Sequence, residues 1–250
     1  MTIFTFGDSW SADWQEWTPW PLVLKEKHNI MTTAFGVPGG SNEQLLELVS
    51  NTSIEFKDTQ VSRCIVAFTS TNRITINMAT NIELCVAADY YPDKWYKEAQ
   101  AQVFNDVGLN DLLHTTKFKL HAMKRIIHDT WGCDTIFVPV FEDCEYWRNM
   151  NKDIIDVHDS SLINILHKHA TGRSFTFDAP IYEVGFLQIV NEYGNKWAKK
   201  HLDSNYERAY FERTEFIDNK DYFDDTSHPT QLGHDVIADY FVKHLDIVDK

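Results

Sequence analysis

The 250-residue chain sets 37 Asp and Glu against 23 Lys and Arg, a formal net charge of −14, with 43% hydrophobic and 24% charged residues. This is the composition of a folded globular protein long enough to bury a core, and it excludes a disordered chain. The acidic balance also argues against nucleic acid or an anionic membrane as partner, because phosphate binding draws on clustered Lys and Arg.

Thr2 to Phe6, "TIFTF", is a run of β-branched and aromatic residues that ends in Gly7-Asp8-Ser9, a turn with one serine at its tip. A second run of this kind is "NIMTTAF" (29–35), followed by "GVPGG". Ser41 with Gln44 three residues on forms a capping box, and Leu45, Leu48 and Val49 fall on one face, so a crossover helix is expected over "SNEQLLELVSN". The third run is "RCIVAF" (63–68) and the fourth "TIFVPVF" (135–141). Between them the chain reads as helical from about 97 to 131, with Gly108 and Asn110-Asp111 as a break.

Short apolar runs alternating with helical patterns predict an α/β fold, a parallel sheet covered by helices. No repeat or Pro/Gly/Ser-rich linker divides the chain, so residues 1–250 are expected to form one domain, with long insertions at about 73–134 and 142–224. No basic start followed by an apolar run opens the sequence, and it contains no stretch of about eighteen apolar residues, which predicts a cytoplasmic protein.

The last segment, "DYFDDTSHPTQLGHDVIADYFVKHL" (221–245), carries the second chemical signal. Pro229 forces His228 into extended backbone, and a helix is expected from Pro229 or Thr230 onward with Leu232, Val236, Tyr240 and Leu245 facing the core. Asp225 lies three residues before His228, a spacing at which a turn brings a carboxylate to the imidazole Nδ1; Asp224 competes for that role.

Other polar clusters carry less. Cys64, Cys85, Cys133 and Cys144 form no Cys-x-x-Cys pair, and Cys64 reads as a small core residue. His114, His121 and His128 recur every seventh residue, about 10 Å apart along a helix and too far to share a metal. His167 and His169 alternate as on a strand. Trp10, Trp14, Trp17 and Trp20 crowd the segment after Ser9, where rings could stack on a sugar, although packing is the commoner use.

Gly-Asp-Ser after the first strand and Asp-x-x-His-Pro before the last helix resemble the SGNH hydrolases, the GDSL family of esterases and lipases. "GVPGGSN" after the second run is similar to the family's second block, with Gly39 in the glycine position. "TSTNR" after the third resembles its third block, with Asn72 in the asparagine position. The chain departs from the family at Trp10, where Leu is usual, and at Ser70 and Arg73, where the third block usually reads Gly-Thr-Asn-Asp.

The resemblance implies a three-layer α/β/α sandwich with a flavodoxin-like parallel sheet, and a serine esterase with Ser9, Asp225 and His228 as triad. It implies an oxyanion hole made of the Ser9 and Gly39 backbone N–H groups and the Asn72 amide, with Gly40 as the alternative to Gly39. No cofactor or metal is implied. An acidic, aromatic-rich chain without an apolar lid suits a small-molecule or carbohydrate ester, such as an O-acetylated sugar. A non-catalytic binding or structural protein that retains the fold is the alternative.

Overall fold

The computed structural model describes residues 2–13, 16–69, 114–141, 158, 160–175 and 215–245. Four strands, β1 (Thr2–Gly7), β2 (Thr32–Gly36), β3 (Val61–Phe68) and β4 (Asp134–Pro139), run parallel in the order β2-β1-β3-β4. This is the strand order of a flavodoxin-like doubly wound sheet, which the family resemblance implied; the sequence pattern itself predicted the parallel sheet. Its switch point lies between β1 and β3, where successive crossovers leave in opposite directions. The longer described helices are α1 (Trp20–His28), α2 (Asn42–Glu55), α3 (residues 114–131), α4 (Leu162–Thr171) and α5 (Gln231–His244).

The period of two along each strand divides its side chains between two cores. Ile3, Ile65, Ala67 and Val138 face a layer built with Trp20, Val23 and Leu24 of α1, Leu166 of α4, and Ile237 and Phe241 of α5. Phe4, Phe6, Cys64, Val66, Phe68 and Phe137 face the other layer, with Leu45 and Val49 of α2 and Leu120, Met123 and Ile127 of α3. In that second core the Phe4 ring stands edge-on to Phe35 at 5.2 Å and to Trp131 at 5.2 Å. Each such ring contributes about 1.5–3 kcal/mol by burial, and the edge-to-face pairs somewhat more.

The capping box at Ser41 and Gln44 forms in both directions, so α2 starts where the sequence places it. α1 and α4 are elements that sequence periodicity missed. α4 runs straight through His167 and His169, so their alternation is not that of a strand. His167 Nδ1 meets the Arg173 carbonyl at 2.9 Å, and His169 Nδ1 meets the Tyr222 hydroxyl at 2.7 Å. α5 begins at Gln231 with Thr230 as N-cap, and it buries Gly233, His234, Val236, Ile237, Ala238 and Phe241. Leu232 is therefore exposed and Tyr240 half-buried, one step off the inward rows 233–237–241 and 234–238.

Register brings the carboxyl ends of the strands to one rim. Gly7 lies beside Gly36 on one side and Ala67 on the other, and Phe68 lies beside Pro139. In open α/β sheets this rim, at the switch point, is where ligands bind. Ser9 follows β1, Gly39 follows β2 and Thr69 follows β3 along it.

Candidate active site

The turn after β1 is held by its own aspartate. Asp8 Oδ1 accepts the Trp10 N–H at 3.0 Å and the Asp8 carbonyl accepts the Ser11 N–H at 3.0 Å, folding the chain back over the strand end. Only glycine fits at position 7, because a Cβ there would lie 2.3 Å from Ser11 Oγ. Trp10, buried between Phe141 and Phe223, anchors the far side of the turn. Ser9 is presented between these two anchors and is itself only 4% exposed.

His228 arrives from the other end of the chain on a hairpin-like loop. Phe223 and Pro229 form an isolated antiparallel bridge, the Asp224 N–H donates to the His228 carbonyl at 2.9 Å, and the Ser227 N–H donates to the Asp224 carbonyl at 3.2 Å. Ser227 takes a left-handed φ of 62°, which non-glycine residues adopt rarely and which makes the sharp reversal possible. The loop sets His228 Nε2 2.9 Å from Ser9 Oγ, so the structure brings these two expected site residues into hydrogen-bond contact.

Asp225 is not brought to the histidine. Its side chain is 94% exposed and meets Lys220 Nζ at 2.8 Å, and that ammonium holds its carboxyl below the usual carboxylate range. The three-residue spacing misleads because adjacent residues in this tight loop point to opposite sides. Asp224 turns inward instead: its Oδ1 accepts from the Thr226 N–H at 2.7 Å, the Thr226 hydroxyl at 2.6 Å and the His228 N–H at 3.1 Å. The Thr226 hydroxyl in turn lies 2.8 Å from His228 Nδ1. Thr226 carried no sequence signal beyond its place between the two candidate aspartates and the histidine.

Gly39 sits in a Pro38-Gly39 turn with φ of 69°, the conformation a type II turn demands at that position. The Gly40 N–H closes this turn on the Val37 carbonyl at 2.8 Å, which commits that donor and separates Gly40 from Gly39. Asn72 lies outside the described residues, as do Trp14, Cys85 and Cys144 and most of the two expected insertions. The third strand's exit is described as far as Thr69. Thr69 is held by Asn42 of α2, whose Oδ1 accepts the Thr69 N–H at 3.0 Å and whose Nδ2 donates to the Thr69 carbonyl at 2.9 Å.

Behind the histidine, His234 of α5 is buried, and its Nδ1 accepts the Trp20 N–H at 3.3 Å at the start of α1. Burial first, and the nearby His228 second, push its pKa down to about 3. It is therefore neutral at physiological pH and adds no charge beside His228. Trp10 and Trp20 are core residues with no face for a ligand, while Trp17 is half-buried. His114 and His128 are exposed on α3. Among the described residues no three His, Cys, Asp or Glu side chains gather as a metal site, and no helix is long and apolar enough to cross a membrane.

No protein-family model and no curated protein matches the sequence. Among solved structures the chain is similar to a candidate lipolytic protein of the G-D-S-L family from Desulfitobacterium hafniense DCB-2, at 12% identity over 99% of both chains and a TM-score of 0.47. It is also similar to a structure from Streptococcus pneumonia described as a candidate platelet activating factor, at 14% identity over 97% of this chain and 83% of that one, with a TM-score of 0.37. At such identities and scores the likeness says nothing about activity, which has to be argued from the residues.

Proposed function

We propose that the chain is a serine hydrolase of the SGNH type that cleaves a carboxylic ester through an acyl-enzyme. The observation that carries this reading is the 2.9 Å contact between Ser9 Oγ and His228 Nε2 at the switch-point rim of the sheet. A serine hydroxyl is a weak nucleophile near neutral pH and needs a base at this distance. As Ser9 Oγ bonds to the acyl carbon, its proton passes to Nε2 and the carbonyl π electrons move onto oxygen. Collapse expels the alkoxide, which takes the proton back from Nε2. Water then repeats the sequence on the acyl-enzyme and releases the acid.

The negative oxygen of each tetrahedral intermediate is assigned to the Ser9 and Gly39 N–H groups and the Asn72 amide. Gly39 holds the glycine position of the resemblance, while the Gly40 N–H closes the turn on the Val37 carbonyl. The substrate class is a small acyl ester, with an O-acetyl group on a carbohydrate as the specific proposal. In the segment after Ser9, Trp17, rather than the buried Trp10 or Trp20, is the described tryptophan proposed to meet a sugar.

Treatment with a fluorophosphonate followed by peptide mass spectrometry tests the reading. The adduct is expected on the peptide containing Ser9 and is expected to vanish in Ser9→Ala. A folded wild type that stays unlabelled would mark a protein that keeps the fold without an activated serine.

A further inference from the structure

Asp224, Thr226 and His228 form a chain whose proton positions follow from what each group can donate. A carboxylate only accepts, so the Thr226 hydroxyl proton, 2.6 Å from Asp224 Oδ1, belongs to that contact. With its single proton spent, Thr226 Oγ1 faces His228 Nδ1 at 2.8 Å as an acceptor. Nδ1 must then carry the imidazole proton, which leaves the Nε2 lone pair toward Ser9 at 2.9 Å. The backbone reinforces the arrangement, because the same carboxylate oxygen takes the N–H groups of Thr226 and His228 and so fixes the loop that carries all three.

We infer that Thr226 is a positioning residue that relays the orienting carboxylate of Asp224 to His228. The inference rests on the proposed serine hydrolase and specifies how its base is held. Thr226 touches neither substrate nor the reacting atoms; it sets which nitrogen of His228 carries the proton. Being neutral, it leaves the imidazolium one bond further from negative charge than in a direct pair. Its loss should cost less than the roughly ten-thousandfold that removing a directly bonded carboxylate costs.

Four variants and one spectroscopic readout test this. On a short-chain aryl ester Thr226→Val, which keeps the shape and removes the hydroxyl, is expected to lower kcat about a hundredfold with KM and Tm nearly unchanged. Thr226→Ser, which restores the hydroxyl, is expected to recover kcat to within about threefold. Asp224→Asn should fall with Thr226→Val, whereas Asp225→Asn should not. Nitrogen NMR of the His228 ring reads the tautomer without turnover: the proton is expected on Nδ1 in the wild type and partly on Nε2 in Thr226→Val. A wild-type Nε2–H tautomer, an unchanged Thr226→Val, or a loss confined to Asp225→Asn overturns the relay. Failure of the hydrolase reading appears differently, as an unlabelled Ser9 in a wild type whose His228 still shows the Nδ1 proton.

Discussion

Asn42 and Thr69 hold each other through two hydrogen bonds, the side-chain amide of one copying a strand partner for the backbone of the other at 2.9 and 3.0 Å. Both are buried, and the pair ties the first turn of α2 to the exit of β3. That exit leads into "TSTNR", the segment that carries Asn72. Asn42→Ala would leave a buried N–H and a buried carbonyl unpaired, at about 1–3 kcal/mol each. A clearly lower urea midpoint and a reduced kcat are expected. Asn42→Asp should also be destabilised, because its carboxylate would face the Thr69 carbonyl. Full stability in both variants would remove the clasp from any role in holding the site.

Asn72 separates a full SGNH site from a chance Ser9–His228 pair. If Asn72 donates to the oxyanion as proposed, it acts mainly in the transition state, and Asn72→Ala is expected to lower kcat by about two to three orders of magnitude with little change in KM. If instead it only caps a turn, the same variant should lose about 1 kcal/mol of stability and keep its turnover per folded molecule. Measuring kcat and Tm on one preparation decides between them.

The strands were legible because each is a compact β-branched and aromatic run bounded by turn residues, and α2 because its capping box is a local signal. α1 was hidden: "WPLVLKEKH" is short, opens on a proline and follows a tryptophan-rich segment with no cap side chain. α4 was hidden because His167 and His169, two residues apart, mimic a strand period that the rest of "LINILHKHAT" does not keep. His228 could be read from its place before a proline, whereas Ser9 stood out only through the resemblance of the four blocks to the SGNH family. Which of Asp224 and Asp225 turns toward the histidine could not be read, since it depends on the left-handed Ser227 and on Lys220 drawing Asp225 outward. A sequence spacing of three is compatible with either side of such a loop.

His234 makes a further expectation about acid. Its pKa is pushed down to about 3 from 6.5, first by burial and then by the neighbouring His228, with Asp224 acting weakly in the opposite sense. A folded-state value below the unfolded one means that the unfolded chain binds a proton over this interval and the native state does not. The neutral ring's contribution is therefore fully present above about pH 6.5 and is lost as pH falls toward 3. The limiting slope for one proton is about 1.4 kcal/mol per pH unit. Protonation would also turn Nδ1 from acceptor to donor against the Trp20 N–H, uncoupling the start of α1 from α5. His234→Gln keeps an acceptor and cannot titrate, so it is expected to lower stability modestly at pH 7.5 but to flatten its decline between pH 6.5 and 4. Carboxylates such as Asp239, held low by Lys27 and His28, contribute equally to both proteins and cancel in the difference. Urea unfolding of the two side by side across this range isolates the histidine, and parallel curves would show that His234 is not the group that titrates.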